Sequence, residues 1–199
     1  MSYFTLIQRW SMRISLLLLL ALPTARAAEN DELIWEALRS GEGVALIRHA
    51  LAPGGGDPAS FDLNDCSTQR NLSDTGRAQA KGIGDLFKAA GMDEARLFSS
   101  QWCRCMETAE LMAVGEVTPQ PLLNSFFQQR ALGPGRLAGL QEWLAEQTVT
   151  PGEPLVLVTH QVTITGLTGV FPSSGEIVVI QHPAAADSEI KVIGTLETD

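Results

Sequence analysis

Residues 44–50 read Val44-Ala45-Leu46-Ile47-Arg48-His49-Ala50, four apolar residues followed directly by an arginine and a histidine. A short apolar run of this kind predicts a buried β-strand. Charged side chains are rarely buried unless they are paired or functional. Ligands of open α/β sheets bind beyond the carboxyl ends of the strands, so we expect Arg48 and His49 to face a site. A solvated pair at a strand end is the alternative.

Two further segments repeat this pattern of a strand followed by a polar side chain. Residues 155–159, four apolar residues and a threonine, predict another buried strand, and His160 comes directly after it. Residues 95–99 predict a strand that is followed by a turn and a helix, with Arg104 in the first turn of that helix. Three strand ends therefore supply two histidines and two arginines.

Hydrophobic spacing divides the rest of the chain into alternating helices and strands. We expect helices over residues 31–40, 73–90, 101–114, 135–147 and 162–170, and strands over residues 44–47, 95–99, 117–123, 155–159, 176–181 and 190–196. This alternation indicates an α/β fold, a three-layer α/β/α sandwich with a mostly parallel central sheet. The long loop over residues 52–70 leaves directly from His49, so we expect it to form one wall of a pocket.

Residues 1–27 have the pattern of a secretory signal peptide. Arg9 and Arg13 precede a leucine-rich core, and Ala25-Arg26-Ala27 supplies the small residues of a cleavage site. The apolar core is shorter than the ~20 residues of a comfortable membrane span, although an uncleaved anchor is the alternative. We expect a periplasmic or secreted protein, with no membrane association after cleavage and a single domain over residues 28–199.

The chain is acidic, with 14 lysines and arginines, 23 aspartates and glutamates, and a net charge of −9 at pH 7. Removal of residues 1–27 takes away three arginines and no acid, which brings the net charge to −12. A protein with this charge is a poor nucleic-acid binder. Charge alone would not hold it on an anionic surface either. The oligomeric state is left open by the sequence.

Four segments, in order, resemble the histidine phosphatase superfamily, whose members are phosphoglycerate-mutase-like. Arg48-His49-Ala50 resembles its Arg-His-Gly/Ala signature, and residues 71–80 match its usual helix-start motif. Residues 99–109 resemble its second-arginine motif, and Thr159-His160 resembles its second-histidine motif. The resemblance covers about residues 44–169. It implies a phosphoglycerate-mutase-like three-layer fold.

The resemblance also implies a phosphatase in which His49 is the nucleophile and Arg48, Arg104 and His160 bind the phosphoryl group. Two guanidinium groups beside His49 would lower its pKa and keep the imidazole neutral and nucleophilic. The same groups would stabilise charge on the phosphoryl oxygens, and a protonated His160 would add a donor. The expected path is two displacements through a phosphohistidine, with no metal or cofactor.

A general acid is the part of this mechanism that the sequence does not supply. Many relatives place a glutamate where this chain has Asn124, and others place an aspartate where it has Gln161. We assign Asn124 and Gln161 to substrate binding instead. A substrate with a good leaving group, such as a phosphoramidate or an anhydride, needs no acid. The candidate acids are Asp57, Asp62, Asp65 and Glu107, and the candidates for the substrate side are Gln128, Gln129 and Arg130.

The three cysteines leave at least one thiol unpaired, and secretion makes a disulfide possible. Cys103 and Cys105 flank Arg104 and lie on different sides of the predicted helix. Relatives usually have a small residue at the position of Cys105, which implies a buried free thiol there. We favour a disulfide between Cys66 and Cys103, and three free thiols are the alternative.

The expected activity is hydrolysis of a small phosphorylated substrate. Relatives with a signal peptide include enzymes that act on phosphorylated sugars of the cell envelope, which implies a phosphomonoester of that class. Two alternatives stay open. One is removal of phosphate from protein phosphohistidine, as small cytosolic relatives do. The other is a protein that binds a phosphorylated ligand without turnover.

Overall fold

The computed structural model describes residues 22–198, with side chains from Glu29 onward. Residues 1–21 lie outside this part, so the signal peptide and its cleavage after Ala27 stay predictions. The first helix, α1 (Leu22–Ser40), begins well before the predicted residue 31. The compact unit considered below begins within it, at Ile34. None of the described helices is both long and apolar enough to span a membrane.

The predicted alternation of helices and strands is present. The strands are β1 (Gly43–Arg48), β2 (Arg96–Ser99), β3 (Val117–Pro119), β4 (Leu155–Thr159), β5 (Ile177–Gln181) and β6 (Val192–Leu196). The other helices are α2 (Asp74–Ala89), α3 (Cys103–Met112), α4 (Gly133–Ala145) and α5 (Gln161–Thr168). Short 3-10 helices cover Cys66–Thr68, Pro121–Leu123 and Arg130–Leu132.

The sheet is mixed and mostly parallel, in the order β3-β2-β4-β1-β5-β6. Strands β3, β2, β4 and β1 run parallel to one another. Strand β5 pairs antiparallel with β1, and β6 pairs antiparallel with β5. Arg48 at the end of β1 pairs with Thr159 at the end of β4. The chain therefore leaves both strands at the same level, and His49 and His160 come next in each.

Two apolar cores confirm the three-layer sandwich. Successive side chains of a strand point to opposite faces of the sheet, and β1 follows this rule. Ala45 and Ile47 are buried in the core that α1, α2 and α3 cover. Val44 and Leu46 are buried in the other core, under α4 and α5. A sheet covered on both faces explains why β1 and β4 read as continuous apolar runs.

Two predicted boundaries are wrong for reasons that involve proline. The strand expected over residues 117–123 ends at Pro119, because Pro121 starts a 3-10 helix whose first turn needs no proline N–H. Gln120 caps this turn with its side chain, which accepts from the backbone N–H of Leu122. The helix expected from residue 135 begins at Gly133, with Pro134 in its first turn.

Helices α2 and α3 pack closely, and glycine makes this approach possible. A β-carbon at Gly84 would overlap the carbonyl oxygen of Met112, whereas a β-carbon at Gly82 would meet nothing within 4 Å. Both glycines lie within α2. Substitutions at these two glycines therefore distinguish the effect of close helix packing from the effect of helix propensity.

We expect Gly84→Ala to lower the free energy of unfolding by about 1–3 kcal/mol, because the two helices must move apart. Gly82→Ala should raise it by up to about 1 kcal/mol through helix propensity. Equilibrium unfolding in urea checks both values. Equal effects of the two substitutions would contradict the close packing of α2 on α3.

Candidate active site

The carboxyl ends of β1 and β4 open into a cavity of about 140 Å³. Most of the residues that the sequence predicts for a site line this cavity. They come from the ends of β1 and β4 and from the first turn of α3, as expected. The predicted residues that line it are Arg48, His49, Arg104, His160 and Gln161.

The imidazole of His49 is buried and neutral. Its Nδ1 lies 2.8 Å from the carbonyl oxygen of Ala50. A carbonyl oxygen only accepts, so Nδ1 carries the proton and Nε2 carries the lone pair. No described residue forms a hydrogen bond with Nε2. Burial, and then the charge of Arg104, hold the pKa of His49 well below its usual value.

Two guanidinium groups flank this imidazole. Arg48 donates from Nη1 to the carbonyl oxygen of Pro172 at 2.9 Å. Arg104 donates from Nη1 to the Asp57 carboxylate at 2.8 Å. The Nε atoms of both arginines are buried and have no hydrogen-bond partner. Unpaired buried donors are rare, and in a cationic cavity they suit an anionic ligand such as a phosphoryl group.

His160 is held in one tautomer by a directional chain of hydrogen bonds. Arg104 donates from Nη2 to Nδ1 of His160 at 3.3 Å, so this nitrogen accepts. Nε2 then carries the proton and donates to the Ser100 hydroxyl at 2.8 Å. The Ser100 hydroxyl donates in turn to Oδ1 of Asn124 at 3.2 Å.

This arrangement does not supply the extra donor that a protonated His160 would add. Burial, followed by the charge of Arg104, lowers the pKa of His160 well below its usual value. In this structure the neutral imidazole donates to Ser100 and holds Arg104. His160 therefore acts here by orienting a guanidinium group.

Asn124, predicted to bind substrate, does not line the cavity. Its Oδ1 accepts from the backbone N–H of Gln101 at 2.9 Å and from Ser100, and its Nδ2 donates to Oε1 of Gln101 at 2.8 Å. The amide therefore holds the turn between β2 and α3. Gln161 does line the cavity, and its side chain donates to Thr165 at 2.7 Å.

Comparison with known proteins agrees with this site. The model of the histidine phosphatase superfamily (branch 1) matches residues 44–126, which contain Arg48, His49 and Arg104. This match covers less than half of the chain. An uncharacterized protein of a Picosynechococcus strain is 30% identical over 116 residues, which is 58% of this chain and 64% of that protein. The match therefore spans less than two thirds of that relative.

Solved histidine phosphatase structures share the fold. The protein histidine phosphatase SixA complexed with tungstate has a TM-score of 0.56 at 14% identity, over 78% of this chain and 96% of that chain. A mycobacterial glucosyl-3-phosphoglycerate phosphatase has a TM-score of 0.50 at 17% identity, over 76% of this chain and 95% of that chain. At these identities the likeness establishes the phosphoglycerate-mutase-like fold and nothing finer.

A third arginine of this cavity was missed by the sequence reasoning. Arg70 lines the cavity, and its guanidinium donates to the carbonyl oxygens of Gly56 and Ala52. Burial, and then the charge of Arg104, lower its pKa. Its position directly before the helix-start motif at Asn71 was the available signal. Arg70 thus adds a third guanidinium group to the cavity.

The candidate acids do not supply a proton donor for a leaving group. Within the described chain, Asp57 is the only carboxylate that lines the cavity. Burial alone would raise the pKa of Asp57, but the charge of Arg104 and donors from Arg70 and Trp102 outweigh it and lower the pKa. Asp57 is therefore ionised. The other candidates lie outside the cavity lining, and they are Asp62, Asp65 and Glu107.

The segment after Asn124 contributes more than the sequence indicated. Gln128 lines the cavity as predicted, whereas Gln129 and Arg130 do not. Phe127, which was not predicted, lines it as well. An aromatic residue carries no signal for a site by itself, because such a residue is more often part of a core.

The cysteines are arranged as favoured from the sequence. Cys66 and Cys103 form a disulfide, which joins the loop of the cavity wall to the first residue of α3. Cys105 is a buried free thiol 3.5 Å from Nε2 of His160, and burial raises its pKa to about 12. The disulfide therefore connects the wall of the cavity to the helix that carries Arg104.

No group of three His, Cys, Asp or Glu residues in the described part could hold a metal ion.

We expect loss of the disulfide to destabilise the protein and loosen the site. It closes a loop with a sequence separation of 37 residues, and chain entropy assigns roughly 3–4 kcal/mol to a loop of about this length. The double variant Cys66→Ser/Cys103→Ser should unfold at lower urea concentration and bind orthophosphate more weakly.

The control for this prediction is dithiothreitol. Reductant should reproduce the effect in the wild-type protein and change nothing further in the double variant. Equal urea midpoints for the oxidised wild type and the double variant would contradict the expected role of the disulfide.

The two neutral histidines predict a pH dependence of stability. An unfolded histidine takes up a proton near pH 6.5, whereas burial keeps His49 and His160 neutral at lower pH. The unfolded state therefore binds more protons, and the free energy of unfolding falls as the pH drops below about 6.5. Above about pH 6.5, the two buried neutral histidines make their full contribution to the free energy of unfolding.

We expect His49→Asn to make this dependence shallower between about pH 6.5 and 5, by up to roughly 1.4 kcal/mol per pH unit. Urea unfolding of both proteins across this range measures the two slopes. The window excludes the titration of Asp57, whose lowered pKa places it in more acidic solution. An unchanged slope would contradict a buried, neutral His49.

Proposed function

We propose that this chain is a metal-independent phosphatase that hydrolyses a phosphomonoester through a phosphohistidine on His49, in the periplasm or after secretion. One observation carries the proposal. The Nε2 lone pair of a buried neutral imidazole has no partner among the described residues and lies in a cavity with three guanidinium groups. Support from the histidine phosphatase superfamily points to the same chemistry.

In the first step, Nε2 of His49 attacks phosphorus. The N–P bond forms as the P–O bond to the leaving group breaks, and the leaving group takes the electron pair. Arg48 and Arg104 neutralise the charge that spreads over the phosphoryl oxygens. The carbonyl oxygen of Ala50 keeps its hydrogen bond from Nδ1, which stabilises the positive imidazole of the phosphohistidine.

In the second step, water attacks the phosphorus of the phosphohistidine. The electron pair of the N–P bond returns to Nε2, one proton of the water passes to solvent, and orthophosphate leaves. His49 is neutral again at the end of the cycle. This sequence of two displacements uses the histidine as a covalent catalyst.

The site selects substrates by their leaving group, because no described group of the cavity can protonate a departing oxygen. Asp57 is ionised and bound to Arg104, and the Nε2 proton of His160 is directed to Ser100. Neither group offers a proton to a departing oxygen. The arrangement therefore favours leaving groups that need no proton from the enzyme, such as those of anhydrides and aryl phosphates, and those of phosphoramidates whose nitrogen is already protonated. Within the envelope sugars, a phosphoryl group carried in an anhydride meets this condition.

The same absence of a donor favours a second candidate function. A protein that captures a phosphorylated ligand without turnover needs the cationic cavity and no general acid. Such a protein would bind phosphate esters and release no phosphate. Turnover measured with a substrate that needs no acid separates the two functions.

We expect the purified protein to hydrolyse para-nitrophenyl phosphate in the presence of EDTA, because this substrate has a good leaving group. His49→Asn should lower turnover by on the order of 1,000-fold or more, since it removes the nucleophile. Circular dichroism should show that the variant is folded. His182→Asn, outside the cavity, is the matched control and should keep full turnover.

Two results would overturn the proposal. One is the absence of turnover from folded protein across about pH 4 to 8, and the other is turnover that persists in His49→Asn. Binding of orthophosphate without turnover would establish the second candidate function in its place.

A further inference from the structure

The cavity encloses only a small part of a substrate. Its volume of about 140 Å³ is below the ~300–1,000 Å³ of pockets that bury a drug-sized ligand. His49, Arg104 and His160 are almost fully buried and form its base. A phosphoryl group bound to these residues leaves the rest of the substrate at the mouth.

Phe127 forms part of that mouth. Its side chain lines the cavity and is 46% exposed. Exposed apolar surface costs roughly 25 cal/mol per Å² relative to burial, so a ring at this place gains free energy when a ligand covers it. Aromatic rings and the apolar faces of sugars are the groups that cover a ring best.

The backbone around Phe127 is anchored on both sides. Arg136 donates from Nη1 to the carbonyl oxygen of Ser125 at 3.0 Å. Gln128 donates from Nε2 to the carbonyl oxygen of Asp57 at 3.0 Å, which ties the segment to the opposite wall. A ring on an anchored turn loses little conformational entropy when it binds a ligand.

Arg130 adds a positive charge over one face of the ring. Its guanidinium carbon lies 5.2 Å from the centroid of Phe127. It forms no salt bridge with a described carboxylate. Because Arg130 is exposed and has no described carboxylate partner, its positive charge is available to an anion bound at the cavity mouth. Such a charge stands out in a chain whose net charge is −9.

We propose that Phe127 and Arg130 form a leaving-group subsite that takes a ring bearing a second anionic group. The substrate class is then an aryl phosphate, or a sugar whose phosphoryl group is part of an anhydride, with a further carboxylate or phosphate on the ring. The ring lies against Phe127, and the second anion pairs with Arg130. This subsite rests on the proposed phosphatase function, because it binds the part of the substrate that the reaction releases.

Phosphonates test the subsite without turnover, because their C–P bond is not hydrolysed. Calorimetry measures the dissociation constants of methylphosphonate, phenylphosphonate and 4-phosphonobenzoate for the wild-type protein. Phenylphosphonate should bind roughly 2- to 10-fold more tightly than methylphosphonate, from contact of the two rings. 4-Phosphonobenzoate should gain roughly 2- to 5-fold more, from a largely exposed ion pair.

Variants assign each gain to a residue. In Phe127→Ala the ratio of phenylphosphonate to methylphosphonate affinity should fall toward one, and Phe127→Tyr should restore it. In Arg130→Ala the additional gain of 4-phosphonobenzoate should disappear. Phe171→Ala and Lys81→Ala change an exposed ring and an exposed cation outside the cavity lining, and both should keep the wild-type ratios.

The outcomes separate the subsite from the phosphatase. Equal affinities of the three phosphonates for the wild type would overturn the subsite while the phosphatase stands. Wild-type ratios in Phe127→Ala and Arg130→Ala would also overturn it. Failure of all three phosphonates to bind would overturn the phosphoryl site itself, and the subsite with it.

Discussion

The parallel pairing of β1 with β4 is the constraint on which the site depends. Arg48 pairs with Thr159 at the ends of these strands, and the backbone N–H of His49 donates to the carbonyl oxygen of Thr159 at 2.9 Å. This register places the imidazoles of His49 and His160 with ring centroids 5.5 Å apart. A shift of one residue would turn one of the two side chains toward the opposite face of the sheet. Register and apolar cores therefore fix the site together.

Arg104 is the second element on which the site depends, since it connects His160 to the loop and its charge acts on His49. A buried guanidinium group needs partners, and this one has the carboxylate of Asp57 on one side and Nδ1 of His160 on the other. The ion pair with Asp57 compensates part of the desolvation cost. It also keeps the cavity from carrying three uncompensated arginines. Asp57 is therefore better explained as a structural counterion than as an acid.

Much of this arrangement could be predicted from the sequence, because it follows from strand ends. Arg48, His49 and His160 each come within two residues of the end of an apolar run, and parallel strands bring such ends together. Arg104 follows from the same rule through the first turn of a helix. Asn124 could not be placed in this way, since its role depends on a contact with Ser100 across 24 residues. Whether an amide faces a ligand or a neighbouring turn is decided by tertiary packing.

The charge distribution links these features to the chemistry. Burial and the guanidinium groups keep both imidazoles neutral, so Nε2 of His49 keeps its lone pair and His160 has only one ring proton. The charge of Arg104 and its neighbouring donors hold Asp57 ionised. The cationic cluster thus lowers the pKa of the two imidazoles and of the carboxylate that line the cavity. In the proposed phosphatase, phosphoryl binding and the lack of a proton donor are then two consequences of one cationic cluster, and the need for a leaving group that departs without a proton follows from it.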